Sequence, residues 1–117
     1  DPNMRLNNQI RILNDPGSVL IYNKKNNKKV REKHFIQNKS FELKDILKDI
    51  LKKGVGSILV EGGAKTLNYF INENLWDEAR IFVSNKRFKK GIKAPELDLN
   101  KYQKIRNNKL YNIFNNA

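Results

Sequence analysis

Apolar positions recur along this chain at two spacings, and the spacings sort it into elements. In "SFELKDILKDILKKG" the residues Leu43, Ile46, Leu47, Ile50 and Leu51 fall at i, i+3, i+4, i+7 and i+8, the stripe of an amphipathic helix. Ser40 can cap its start, lysines fill its last turn and Gly54 can close it. Upstream, "GSVLIYN" (17–23) follows the turn signal Asp15-Pro16-Gly17 and predicts a strand, and "HFIQ" predicts a second short one. Between them "NKKNNKK" (23–29) is a low-complexity polar turn. "SILV" (57–60) has the unbroken apolar character of a strand buried on both faces. A second helix is expected from near Ala64 to about Asn74, with Leu67, Phe70 and Ile71 on one face. "EARIFVS" (78–84) is a further strand, and the tail "KYQKIRNNKLYNIF" predicts a hairpin turning at Asn107-Asn108. This order predicts an α/β layer fold, with helices covering a mostly parallel sheet and an antiparallel hairpin at the end.

A length of 117 residues suits one domain, and no internal repeat or linker divides it. The net charge of +12 would suit an anionic partner. Lys and Asn together make up roughly a third of the residues, well above ordinary usage. That pairing fits an AT-rich coding bias, which accounts for much of the charge without a nucleic-acid partner. The basic residues are scattered over the chain, and no RNA- or DNA-binding signature accompanies them. There is no Cys, and the single His34 has no second His with which to share a metal, so no metal site is expected. No apolar run approaches a membrane span and no hydrophobic signal segment opens the chain, so a soluble cytoplasmic protein is expected.

The candidate chemistry lies in "ILVEGGAKTL" (58–67). A phosphate-binding P-loop needs its second glycine directly before the lysine, and here Ala64 stands there. The dinucleotide fingerprint fails too: Gly54 and Gly56 have the spacing, but Leu59 holds the third place and the glycines precede the strand. What remains is an apolar strand, the acid Glu61, then Gly62 and Gly63, then a helix start. Glycines let a ligand approach the backbone, and free N–H groups at a helix start attract anions. A tight turn with a solvated acid is the competing reading.

The block "SILVEGGAKTLNYFINENLWDEARIFVS" resembles the reductase half of the bifunctional riboflavin-biosynthesis deaminase/reductase family. The resemblance rests on Val60-Glu61-Gly62-Gly63, Leu67, Phe70, Leu75, Trp76, Asp77 and Glu78, with weaker likeness in "DPNMRL", "DPGSVLIY" and "FKKGIKAP". It implies a dihydrofolate-reductase-like three-layer α/β/α fold. It also implies NADPH-dependent reduction of 5-amino-6-(5-phosphoribosylamino)uracil to its ribitylamino counterpart, with hydride delivered to C1′ of the opened sugar. By position, Glu61 would contact the substrate, and Gly62, Gly63, Ala64, Lys65, Thr66 and Leu67 would hold NADPH. Lys65 either adds charge near the cofactor phosphates or stands solvated. Asp77 and Glu78 are expected to fix the helix-to-strand turn, and Trp76 to pack in the core or at a homodimer contact.

The family's upstream first strand, a following helix and a motif rich in Asp, Pro and Arg are not expected within these residues. The chain is therefore read as the C-terminal portion of a reductase domain, with little activity alone and no deaminase domain. No general acid is identified. Another dihydrofolate-reductase-like pyrimidine reductase, a basic nucleic-acid-binding domain and a non-catalytic remnant are the alternatives.

Overall fold

The structure, a computed structural model, describes residues 1–7 and 9–116. The chain divides into two compact units, Asp1–Ile58 and Leu59–Ala117.

The first unit carries the short helix α1 (Arg11–Asn14), strands β1 (Val19–Asn23), β2 (Lys28–Val30) and β3 (Lys33–Gln37), and helix α2 (Leu43–Lys52). Its sheet has the order β1-β3-β2, with β1 parallel to β3 from Val19↔Lys33 to Asn23↔Gln37 and β2 antiparallel to β3. The strand expected at 17–23 thus begins at Val19, after Gly17, whose φ of 123° is closed to most side chains. Lys33 is buried, and its ammonium donates to the Asp15 and Gly17 carbonyls, both at 2.8 Å, which clamps this turn.

The polar run 23–29 is more ordered than a plain turn. Asn23 is fully buried; its Oδ1 accepts from the Lys25 and Asn26 N–H groups at 2.8 and 2.9 Å, and its Nδ2 donates to the Asn26 carbonyl at 3.0 Å. Lys28 and Lys29 already belong to β2, an exposed edge strand whose lysines suit an unpaired edge.

Helix α2 keeps the expected stripe half-buried through Ile50, while Leu51 is exposed. Its end is a Schellman motif: Val55 N–H reaches the Ile50 carbonyl, Gly54 N–H reaches that of Leu51, and Gly54 sits at φ 85°. The expected Ser40 cap is displaced. The helix starts two residues later, behind Glu42, which provides no side-chain cap, and Ser40 Oγ instead lies 3.2 Å from Asp45 Oδ2. Across the unit, the Tyr22 hydroxyl donates to Asp49 at 2.6 Å, and Asp49 also pairs with Lys53 at 2.5 Å, tying α2 to β1.

The second unit contains helix α3 (Ala64–Asn72) and strands β4 (Glu78–Ser84), β5 (Tyr102–Ile105) and β6 (Asn108–Phe114). Its sheet is β4-β6-β5, antiparallel throughout. Strand β4 matches the expected 78–84 and alternates exposed and half-buried residues along its length. The C-terminal hairpin is present, but it turns at Arg106-Asn107, one residue before the expected pair, with Arg106 at φ 53°. The register is set by a cross-strand aromatic pair, Tyr102 with Tyr111, at 5.6 Å between rings. Helix α3 ends in a second Schellman motif, with Asn74 at φ 54° in the glycine place.

Two expectations are corrected. Residues 57–60 join no ladder among the described residues, and Leu59 is 83 % exposed, so this stretch is not a strand buried on both faces. An apolar run can specify burial, but a ladder needs an adjacent strand, and none is paired with it here. Second, no mostly parallel sheet is seen among the described residues: of their four strand pairings only β1·β3 is parallel, and the strands fall into two three-stranded sheets. The architecture is mixed α/β.

Candidate functional site

The turn that leads into α3 gathers the residues singled out in the sequence. Gly63 is the N-cap, in an extended conformation (φ −70°, ψ 171°), and it offers no side-chain cap. Its carbonyl accepts the Thr66 and Leu67 N–H groups at 2.9 and 3.1 Å. The N–H groups of Ala64 and Lys65 find no acceptor among the described residues, as expected for the first turn of an uncapped helix.

The two glycines are there for different reasons. A Cβ on Gly62 would stand 2.6 Å from Thr66 Cβ and 2.8 Å from its Cγ2, so the Thr66 side chain itself demands glycine at 62. A Cβ on Gly63 would meet nothing within 4 Å, and its φ is open to any residue. Neither backbone conformation nor packing within the chain therefore requires glycine at 63. The space where its side chain would stand is open, and beside it lie the two free N–H groups. A group fitting there would be anionic and would lie close against the backbone.

The side chains around this turn follow the same geometry. Glu61 and Lys65 are exposed, and neither side chain makes a hydrogen bond or ion pair among the described residues. Lys65 is the one basic residue in the sequence between positions 59 and 79, so attraction for an anion at this turn comes from it and from the helix start. Ala64 and Leu67 are half-buried and face inward with Phe70 and Ile71. Leu67 thus belongs to the packed face of α3, and Thr66 acts on the turn through Gly62.

The far end of α3 is fixed by a residue that the sequence did not single out. Asn115, just past β6, donates from Nδ2 to the Trp76 carbonyl at 2.9 Å and to Asn74 Oδ1 at 2.7 Å, while its N–H reaches the Asp77 carbonyl at 2.8 Å. Glu78 accepts from Arg80 Nε at 2.7 Å. The Asp77 backbone carbonyl thus takes part in the helix-to-strand turn, whereas the Glu78 carboxylate is paired within β4. Asn115 lies 41 residues from Asn74, and no local pattern marks such a pairing.

Two open depressions lie elsewhere on the second unit, one beside Glu96, Leu97 and Asp98 and one at the C-terminal hairpin, and neither is lined by Glu61 or the glycine turn. Among the described residues no group of three His, Asp or Glu could hold a metal, and no helix is long and apolar enough to cross a membrane.

Against known proteins, the profile of the RibD C-terminal domain family matches residues 1–88, most of the chain and all of the glycine turn. The chain belongs to the RibD C-terminal domain family. The riboflavin biosynthesis protein RibD of Aquifex aeolicus (strain VF5) is 29% identical to it over 122 residues. That alignment covers 97% of this chain and 34% of the relative, so the chain spans about a third of the length of the curated relative it matches. The family profile runs through β4 and stops before the C-terminal hairpin, whereas the alignment with the Aquifex aeolicus relative, at 97% of the chain, extends into it.

Proposed function

We propose that this RibD-type domain serves an NADPH-dependent pyrimidine reductase of riboflavin biosynthesis, acting on 5-amino-6-(5-phosphoribosylamino)uracil. The observation that carries the reading is Gly63: a glycine that the fold does not require, beside free helix N–H groups, within the part of the chain that matches the family. NADPH, when bound, supplies the hydride that reduces C1′ of the opened sugar. The chain's own residues bind and orient. Gly63 leaves room for a cofactor phosphate, the Ala64 and Lys65 N–H groups donate to it, and Lys65 adds a screened positive charge. Thr66 holds Gly62 in place, and Leu67 anchors the helix beneath. Glu61, at the mouth of the turn, accepts hydrogen bonds from N–H or O–H groups of the substrate.

One helix start supplies a modest share of the binding. Its dipole contributes about 0.3–1 kcal/mol, up to about 2 in favourable sites, against roughly 8 for micromolar affinity. The remainder comes from other walls of a larger site. In the same reading the fold is a dihydrofolate-reductase-like three-layer α/β/α sandwich. The protein is cytoplasmic and homodimeric, and the exposed Phe82 and Phe114, on one face of the second sheet, supply apolar surface for the contact.

The test places this chain in the aligned third of the Aquifex aeolicus relative and compares Glu61→Gln with the parent chimera. The KM for the pyrimidine should rise severalfold while NADPH affinity is unchanged. Unaltered turnover and KM would remove Glu61 from the substrate site.

A further inference from the structure

The C-terminal hairpin carries a second feature, outside the reductase reading. Over residues 85–109 the sequence has nine basic residues and two acidic ones, and of the acids Glu96 is already paired with Lys93. Within this stretch Lys104 and Lys109 stand directly opposite each other across the β5–β6 ladder. Like charges in that position repel, and among the described residues neither lysine has a carboxylate partner. The Lys109 ammonium is held 4.6 Å over the Tyr102 ring, so it is placed and does not swing freely away from its neighbour.

Beside the pair is an open cleft of about 280 Å³ lined by Asn85, Tyr102, Lys104, Asn107, Asn108 and Lys109. Its lining has two ammonium groups, a phenol ring and three amides, and no acid. That volume falls just short of the ~300–1,000 Å³ of sites for drug-sized ligands, so it suits one anionic group better than a dinucleotide. We infer that the cleft between Lys104 and Lys109 is a phosphate site that takes the phosphate monoester of a small molecule. The anion relieves the repulsion of the two lysines and accepts from the asparagine amides. The other depression, beside Glu96 and Asp98, has the wrong sign for this ligand.

The experiment follows amide NMR signals of the full chain while inorganic phosphate, then phenyl phosphate, replaces chloride at constant ionic strength. Signals of Asn107, Asn108 and Lys109 should shift and saturate with a Kd of roughly 1–10 mM. Lys104→Gln should weaken this binding at least about fivefold, the effect expected from losing one charge-assisted partner. In phosphate-free buffer Lys104→Glu should raise Tm by about 2–5 °C, because it converts the repelling pair to an attracting one. Phosphate should then raise the Tm of the native chain but not that of K104E. Shifts that never saturate, or that Lys104→Gln leaves unchanged, would overturn the assignment. So would binding of a single-stranded oligonucleotide about 100-fold tighter than phenyl phosphate, with its shifts spread over residues 86–93, because that is the behaviour of a nucleic-acid surface.

Discussion

Substituting alanine at Gly62 and at Gly63 separates folding from binding. At Gly62 the new methyl would lie 2.6 Å from Thr66 Cβ, closer than two carbons can stand, so helix and turn must move apart. Overpacking of this kind costs about 1–3 kcal/mol. At Gly63 the methyl enters open space. Alanine is a poorer N-cap than glycine, but it restricts the unfolded chain by about 0.4–1 kcal/mol in the opposite sense, so the net change in stability is close to zero. Binding should show the reverse order. If a cofactor phosphate rests against Gly63 and accepts from Ala64 and Lys65, the methyl displaces it and weakens charge-assisted bonds of about 1.5–3 kcal/mol. That is a loss of roughly 10- to 150-fold in NADPH affinity. Urea unfolding of the chain gives the first quantity, and NADPH titration of the chimera with the Aquifex aeolicus relative gives the second. Thr66→Gly added to Gly62→Ala should recover part of the lost stability, because it removes the atoms in conflict. Should Gly63→Ala bind NADPH as tightly as the native residue, the reading of the open position as a ligand approach is wrong.

Other substitutions test the frame around this turn. Asn23→Ala empties a buried side-chain position and removes the acceptor of the Lys25 and Asn26 N–H groups, which solvent can reach, so it should cost about 1–2 kcal/mol in urea unfolding, whereas Asn27→Ala, at an exposed position, should cost less. Leu59→Lys should change the stability of this chain by no more than about 0.5 kcal/mol, since the residue is exposed; a loss of several kcal/mol would show that residues 57–60 are buried in solution. Acid should weaken the first unit through Asp49. The hydrogen bonds from Lys53 and Tyr22 hold its carboxyl below the ordinary 3.8, so its contribution is complete above that value and is lost as pH falls through the lowered pKa. Tyr22→Phe should therefore be destabilising near neutral pH and lose much of that deficit in the most acidic buffers, as read from urea midpoints between neutrality and strong acid; a deficit independent of pH would exclude this coupling.

Elements governed by local periodicity were legible in the residues. Strand β4 alternates along its whole length, α2 and α3 carry their apolar stripes, and both helices stop where a Gly or Asn can take positive φ. Features that depend on distant partners were not. The hairpin turns one residue early because Tyr102 and Tyr111 pair across it, and local turn propensity alone favours Asn107-Asn108. Asparagines that composition assigns to coding bias include Asn23 and Asn115, which hold a loop and a helix end through bonds visible only in three dimensions. The segment 57–60 has strand composition without a paired neighbour, so its pattern states a preference that these residues leave unmet. At the candidate site, the turn and helix start were readable from Gly62-Gly63-Ala64. The division of labour between the glycines was not, because it depends on where Thr66 points.

The central claim is that this RibD C-terminal domain binds NADPH at its glycine turn for reduction of a ribosylaminopyrimidine. Its most direct test is the rate at which the chimera consumes NADPH with and without 5-amino-6-(5-phosphoribosylamino)uracil. The account predicts oxidation that depends on the pyrimidine, saturates in both reactants and falls at least about tenfold in Gly63→Ala, in line with the loss of phosphate contacts. Pyrimidine-independent oxidation, or no oxidation by a folded chimera whose unaltered parent is active, would contradict it.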